Sequence, residues 1–184
     1  VIYNLLWKGR ENLSLENCRI LLDADAVTID SVVIGRHVGE IFRVHYIINT
    51  DDKWRTRKLD VRCIFGTLKQ QFNLESSGNG TWKKNGEVLE QFQGCIDLDI
   101  PLTPFTNSLP IKRLNLDVGQ EQIVKVIYID LLQEDVSVRR QKYLRISERL
   151  YHYENIPNDF EADIEVDANG FVVDYPGLFK RDKL

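Results

Sequence analysis

Through most of the chain, apolar residues recur at every second position, and turn-forming residues interrupt them at hairpin intervals. A period of two sends alternate side chains to opposite faces of a strand, so such a chain buries one face of a sheet. Residues 41–49 place Phe42, Val44, Tyr46 and Ile48 on one face. Asn85-Gly86 and Asn169-Gly170 are two-residue hairpin signals, because both residues tolerate the left-handed backbone such turns require. About eleven short strands at this spacing predict an all-β protein: one antiparallel, strongly curved sheet or open barrel around an apolar cavity.

One stretch breaks the pattern. Gly94 to Leu114 (GCIDLDIPLTPFTNSLPIKRL) holds three of the five prolines, Pro101, Pro104 and Pro110. Proline lacks an N–H and cannot sit within a central strand. The expectation is a short strand over 95–100, an irregular crossing from Pro101, and a strand again over 114–118. Leu102, Phe105 and Leu109 want burial, so the crossing should pack into the concave side of the sheet.

A length of 184 residues suits one domain spanning the whole chain. The net charge of −4 argues against a nucleic-acid partner, and no apolar run reaches membrane-spanning length. The opening VIYNLLWKGR is too short and too soon charged for a signal peptide. Cys18, Cys63 and Cys95 form no motif and read as reduced thiols of a cytoplasmic protein. No pattern calls for a cofactor, and the spacing of His37, His45 and His152 suggests no metal site.

If Asp51-Asp52 is a tight turn, Tyr46 faces Arg57, Val44 faces Leu59 and Phe42 faces Val61. Arg55 and Arg57 then share a face with Leu59, Val61, Cys63 and Phe65. Either a β-bulge near Thr56 turns the arginines outward, or they form a cationic rim on an apolar pocket. Asp97 and Asp99 lie on one side of their strand and read as a solvated face, with acid–base work or metal binding the alternatives. Thr103, Thr106 and Asn107 could bond a ligand or their own backbone. Arg139, Arg140, Lys142, Arg145 and Arg149 answer an acidic run from Asp159 to Asp167, which reads as cross-strand pairing on a solvated sheet face, with a lipid-headgroup patch the alternative. In the last hairpin, counting from Asn169-Gly170 sets Val166 against Val173 and Glu165 against Asp174. Two like charges side by side require a cation, expected from Lys142, Arg145 or Arg149.

Three segments, DKWRTRKLDVR from Asp52, GCIDLDIPLTPFTNSLPIKRL from Gly94 and GFVVDYPGLFKR from Gly170, resemble the bacterial putative glycolipid-binding family, and the match covers nearly the whole chain. The resemblance implies a curved antiparallel sheet around an apolar cavity, similar in shape to the lipoprotein-localisation factors, with a glycolipid as ligand. It singles out Trp54, Arg55, Arg57, Thr106, Asn107, Arg113, Asp174 and Tyr175, to which the residue pattern adds Tyr46 and Phe105. Three readings follow. The first is a non-enzymatic binding module for an amphipathic molecule, with apolar parts against Phe42, Val44, Leu59, Val61 and Phe105 and a polar head on Arg55 and Arg57. The second is an enzyme of small-molecule metabolism using Asp97 or Asp99, Tyr46 and the arginines. The third is an interaction scaffold with a filled core.

Overall fold

The computed structural model describes residues 1–182. Eight strands come first: β1 (Ile2–Gly9), β2 (Ser14–Leu22), β3 (Ala26–His37), β4 (Glu40–Asp51), β5 (Thr56–Phe65), β6 (Leu68–Ser76), β7 (Trp82–Lys84) and β8 (Glu87–Val88). After β9 (Asp97–Asp99) and helix α1 (Phe105–Leu114) come β10 (Glu121–Asp130), β11 (Asp135–Ser147), β12 (Leu150–Ile156), β13 (Glu161–Val166), β14 (Val172–Tyr175) and β15 (Phe179–Arg181). All fifteen join one sheet in the order β8 through β1, then β15 through β9. Neighbours are antiparallel except β9 and β10.

This order makes the first and last strands neighbours and puts β8 and β9, consecutive in sequence, at opposite edges. Only residues 89–96 join them, a span of at most about 30 Å. Laid flat, a sheet of this strand count would be roughly 65 Å wide at about 4.8 Å per strand, so it must curl until its edges nearly meet. Side chains bridge the gap: the Trp82 indole N–H donates to the Cys95 carbonyl at 2.6 Å, and the Gln70 amide to the Leu131 carbonyl at 2.8 Å. No ladder joins β8 to β9, so the sheet is not a closed barrel.

Inside the curl lies α1. The proline-rich crossing is therefore helical, not irregular, and the strand expected over 114–118 is absent. Pro104 opens the helix, where a missing N–H costs nothing. Asn115, left-handed at φ 44°, closes it with its N–H on the Ile111 carbonyl. Phe105 and Leu109 pack with Trp7, Tyr46, Ile48 and Leu59 in one core. Ile111 packs with Val126, Tyr143, Ile164 and Val172 in a second.

The β4–β5 register departs from the count by four residues. Tyr46 faces Val61, Val44 faces Cys63 and Phe42 faces Phe65. The turn is longer than Asp51-Asp52 because Trp54 takes a left-handed backbone at φ 60° and Asp51 accepts from the N–H groups of Lys53 and Arg55. Thr50 then pairs with Thr56 and Asn49 with Lys58, leaving Arg57 as the extra residue of a bulge. Arg57 points outward as a result. In the last hairpin Glu165 does face Asp174, but a bulge sets Val166 against Val172. The cation beside Asp174 is Lys180 of the adjoining strand, at 2.5 Å. Strand β12 separates the basic and acidic strands, and its Glu154 takes up Lys142 at 2.7 Å.

Trp82 is fully buried where the two edges meet. Trp82→Ala should lower stability by about 3–5 kcal/mol, read as a shift of the urea midpoint at unchanged slope.

Candidate functional site

A cleft of about 200 Å³ opens between the start of the crossing and strands β10, β12, β14 and β15. Asp99, Pro101, Thr103 and Asn107 line it together with Tyr128, Tyr153, Phe160, Tyr175 and Phe179, and Glu11 of the β1–β2 turn stands with them. Asp99 and Tyr128 are side-by-side partners of β9 and β10. The aromatic lining arises from strand alternation. Tyr143 and Tyr153 are direct cross-strand partners, 5.3 Å between ring centroids. Tyr153 meets Tyr175 at 6.1 Å, and Tyr175 meets Phe179 at 6.3 Å. These edge-on and tilted contacts are the arrangement aromatic quadrupoles favour. The Arg139 guanidinium covers the Tyr128 ring at 3.8 Å.

Asp99 ends β9, just before the crossing. It accepts from the Gln141 amide at 2.7 Å and the Thr106 hydroxyl at 3.0 Å. Burial raises its pKa, against the pull of those two hydrogen bonds and of the Arg139 charge. Asn107 accepts from the Tyr143 hydroxyl at 3.0 Å. Burial also raises the pKa of the Tyr153 and Tyr175 phenols, so both are neutral donors.

Behind Thr103 lies a fully buried carboxyl, Glu16. Its Oε1 accepts from the hydroxyls of Ser31 and Tyr46, both at 2.7 Å, and Thr103 at 2.8 Å. Its Oε2 is buried without a partner. Burial lifts its pKa to about 7, although the three hydroxyls work against the rise. Asp97, also buried, is gripped by Arg113 at 2.5 to 3.2 Å. The expectation of a solvated Asp97–Asp99 face is thus overturned: β9 is an edge strand, but the helix covers one side and β10 pairs with it.

Of the residues singled out in the sequence, Asn107 and Tyr175 line the cleft. Thr106 orients Asp99, Tyr46 reaches Glu16 and Thr103, and Arg113 holds Asp97. Phe105 is a core residue, as are Phe42, Val44, Leu59 and Val61, whose side chains pack on one another. Trp54 stacks edge-on with Phe171 at 6.0 Å. Arg55 and Arg57 sit by the β4–β5 turn, both on Asp51, at 2.7 and 3.7 Å. Asp174 is with Lys180. Neither arginine lines the cleft; the guanidinium beside it belongs to Arg139. Tyr128 and Tyr153 were missed, although their alternation in β10 and β12 marks them as inward. Glu16 carried the same signal, sharing a face with Ser14, Cys18 and Ile20.

On the outer sheet surface, His152 Nε2 lies 3.4 Å from Glu154 and 3.9 Å from Glu161, with Nδ1 on Asp163 at 2.7 Å. These are metal-ligating groups within reach of one another, a cluster the linear spacing did not reveal. The Lys142 ammonium already occupies Glu154.

The chain belongs to the family described as "Putative glycolipid-binding", whose model matches residues 4–181. It is similar to a crystal structure of a DUF1089 family protein from Pseudomonas aeruginosa, with 34% identity, 91% of each chain covered and a TM-score of 0.81. No curated protein matches the chain. No helix among the described residues is long and apolar enough to cross a membrane.

Two outcomes follow. Glu16 has a folded pKa raised above its unfolded value of 4.5. Between those pH values the folded state holds a proton that the unfolded state has lost, so the contribution of Glu16 to stability is full below about pH 4.5 and is lost as pH rises to about 7. Glu16→Gln keeps an acceptor for the hydroxyls and removes the charge. It should therefore raise the urea midpoint at pH 8 by the equivalent of about 3 kcal/mol and flatten the change between pH 5 and 7. Arg113→Ala strands the buried Asp97 charge and should cost about 3–5 kcal/mol in the same assay; a loss under about 1 kcal/mol would mean that Asp97 is neutral in the fold.

Proposed function

We propose that the cleft binds a sugar ring, the headgroup of an amphipathic glycolipid. The observation that carries this is one small space lined by several aromatic rings together with Asp99 and Asn107. A pyranose has apolar C–H faces that lie on aromatic rings and an equator of hydroxyls that bond carboxylate and amide oxygens. Pockets for drug-sized ligands run from roughly 300 to 1,000 Å³, so a cleft of about 200 Å³ suits one ring and not an acyl chain. The apolar side chains first assigned to an acyl chain are consumed in the core. On this reading the tail lies outside, and the cationic neighbour of the headgroup is Arg139 in place of Arg55 and Arg57. The family name agrees with this class of ligand.

A second reading has one specific observation in its favour. Glu11 and Asp99 both line the cleft, and burial raises the pKa of Asp99. Glycoside hydrolysis uses such a pair of carboxyl groups. Release of nitrophenol from a panel of nitrophenyl glycosides, abolished by Asp99→Asn, would establish that activity.

Isothermal titration with a panel of monosaccharides and short-chain glycolipids below their micelle concentrations tests the binding reading. Tyr128→Ala removes a half-buried ring from the cleft and should weaken the bound sugar about three- to tenfold. No heat with any member of the panel would reject the proposal.

A further inference from the structure

The turn that carries Glu11 to the cleft also belongs to an exposed apolar and basic patch at the same end of the sheet. In this turn the Arg10 N–H donates to the carbonyl of Leu178, a cleft residue, and the Asn12 carbonyl accepts from the Arg36 N–H. The Asn12 side chain also meets His37 at 2.9 Å, tying the β1–β2 turn to the β3–β4 turn. Each turn tip offers a large apolar residue to solvent: Leu13 is 66% exposed and Val38 86%. Both have positive φ, 42° and 48°, an unfavourable backbone for a bulky or β-branched residue. Glycine or asparagine would relieve that strain at either tip.

Behind the tips the outer sheet face continues the patch. Leu15 pairs with Ile34, Ile34 with Arg43, Arg43 with Ile64 and Ile64 with Lys69. All five are exposed, so they form one row across five adjacent strands. Ile41, 68% exposed, pairs with exposed Arg36 next to the row. Isolated exposed apolar residues are ordinary, but a contiguous set on one face marks a contact surface. Arg36, Arg43 and Lys69 make no ion pair among the described residues. Glu11 and Glu40 are the acidic residues of the two turns, so the patch is net basic in a chain of charge −4.

We propose that this patch docks the protein on an anionic lipid bilayer. Leu13, Val38 and Ile41 enter the acyl boundary, while Arg36, Arg43 and Lys69 meet lipid phosphates. Apolar side chains at turn tips, flanked by unpaired cations, fit an interface that is apolar below and anionic above. The docked orientation sets the Glu11 side of the cleft toward the headgroup layer. The proposal does not depend on what the cleft holds.

Co-sedimentation with vesicles free of glycolipid tests docking apart from the cleft. One set is phosphatidylcholine alone, and the other is three parts phosphatidylcholine to one part phosphatidylglycerol. The wild-type chain should pellet with the anionic vesicles, not with the neutral ones, and be released as salt rises from about 0.05 to about 0.5 M. Leu13→Asp with Val38→Asp, and separately Arg36→Glu with Arg43→Glu, should each reduce binding about tenfold or more while the urea midpoint does not fall. Ile41→Asp is a second probe of the apolar part, should the double variant fold poorly. Ile123→Asp, on an exposed position of β10 outside the row, should bind as wild type. Absence of wild-type binding, equal binding to neutral vesicles, or full binding by the double variants overturns the proposal. So does a dimer in solution broken by the same substitutions, which would assign the face to a second copy of the chain.

Discussion

Residues 89–96 must carry the chain from one edge of a fifteen-stranded sheet to the other. The rest of the architecture answers that constraint. The sheet curls, its edges come within side-chain reach at Trp82 and Gln70, and the space enclosed is filled by what comes next in the chain. Because β1 lies beside β15, the curl is built from two meanders that meet at the chain ends, and α1 touches the core of each.

Filling the interior with a chain segment brings polar backbone and side chains into an apolar space, where each must find a partner. Most do. Thr103 and Thr106 act as local struts: Thr103 accepts from the Phe105 N–H and donates to Glu16, and Thr106 accepts from the Ile100 N–H and donates to Asp99. Arg113, from the last turn of α1, neutralises Asp97 of the strand before it. The crossing is thus both the filling of the sheet and the hub of its buried polar groups. The cleft lies beside this filling and brings Asp99 and Asn107 into one lining with the tyrosines. It is consequently small and mixed in polarity.

Strand alternation made much of this legible. The period of two marked Phe42, Val44, Tyr46 and Ile48 as one inward face, and all four are buried. Asn85-Gly86 does close a two-residue turn, with Lys84 opposite Glu87. The β4–β5 turn misled because a non-glycine residue, Trp54, adopts a left-handed backbone there, held by Asp51. Nothing local in DDKW announces that, and the extra residues carried Arg57 into a bulge. The helix was invisible for a different reason. Periodicity reports helices that bury one stripe, but all seven residues from Phe105 to Ile111 are buried. A helix enclosed on every side shows no stripe, and Pro110 within it argued for a break.

By itself the sequence determined the all-β class, the inward faces of the long strands and, through its motifs, the family. Those properties depend on neighbours a few residues apart, where spacing and backbone preference act directly. Only the tertiary structure decided which carboxyl groups are buried, which residues share the cleft, and where the cations lie. Asp99 reads as a surface acid until α1 and β11 close over it, and Arg139 gains its place beside Tyr128 only through the β10–β11 pairing. Burial and charge environment arise from segments far apart in sequence, so no local pattern encodes them.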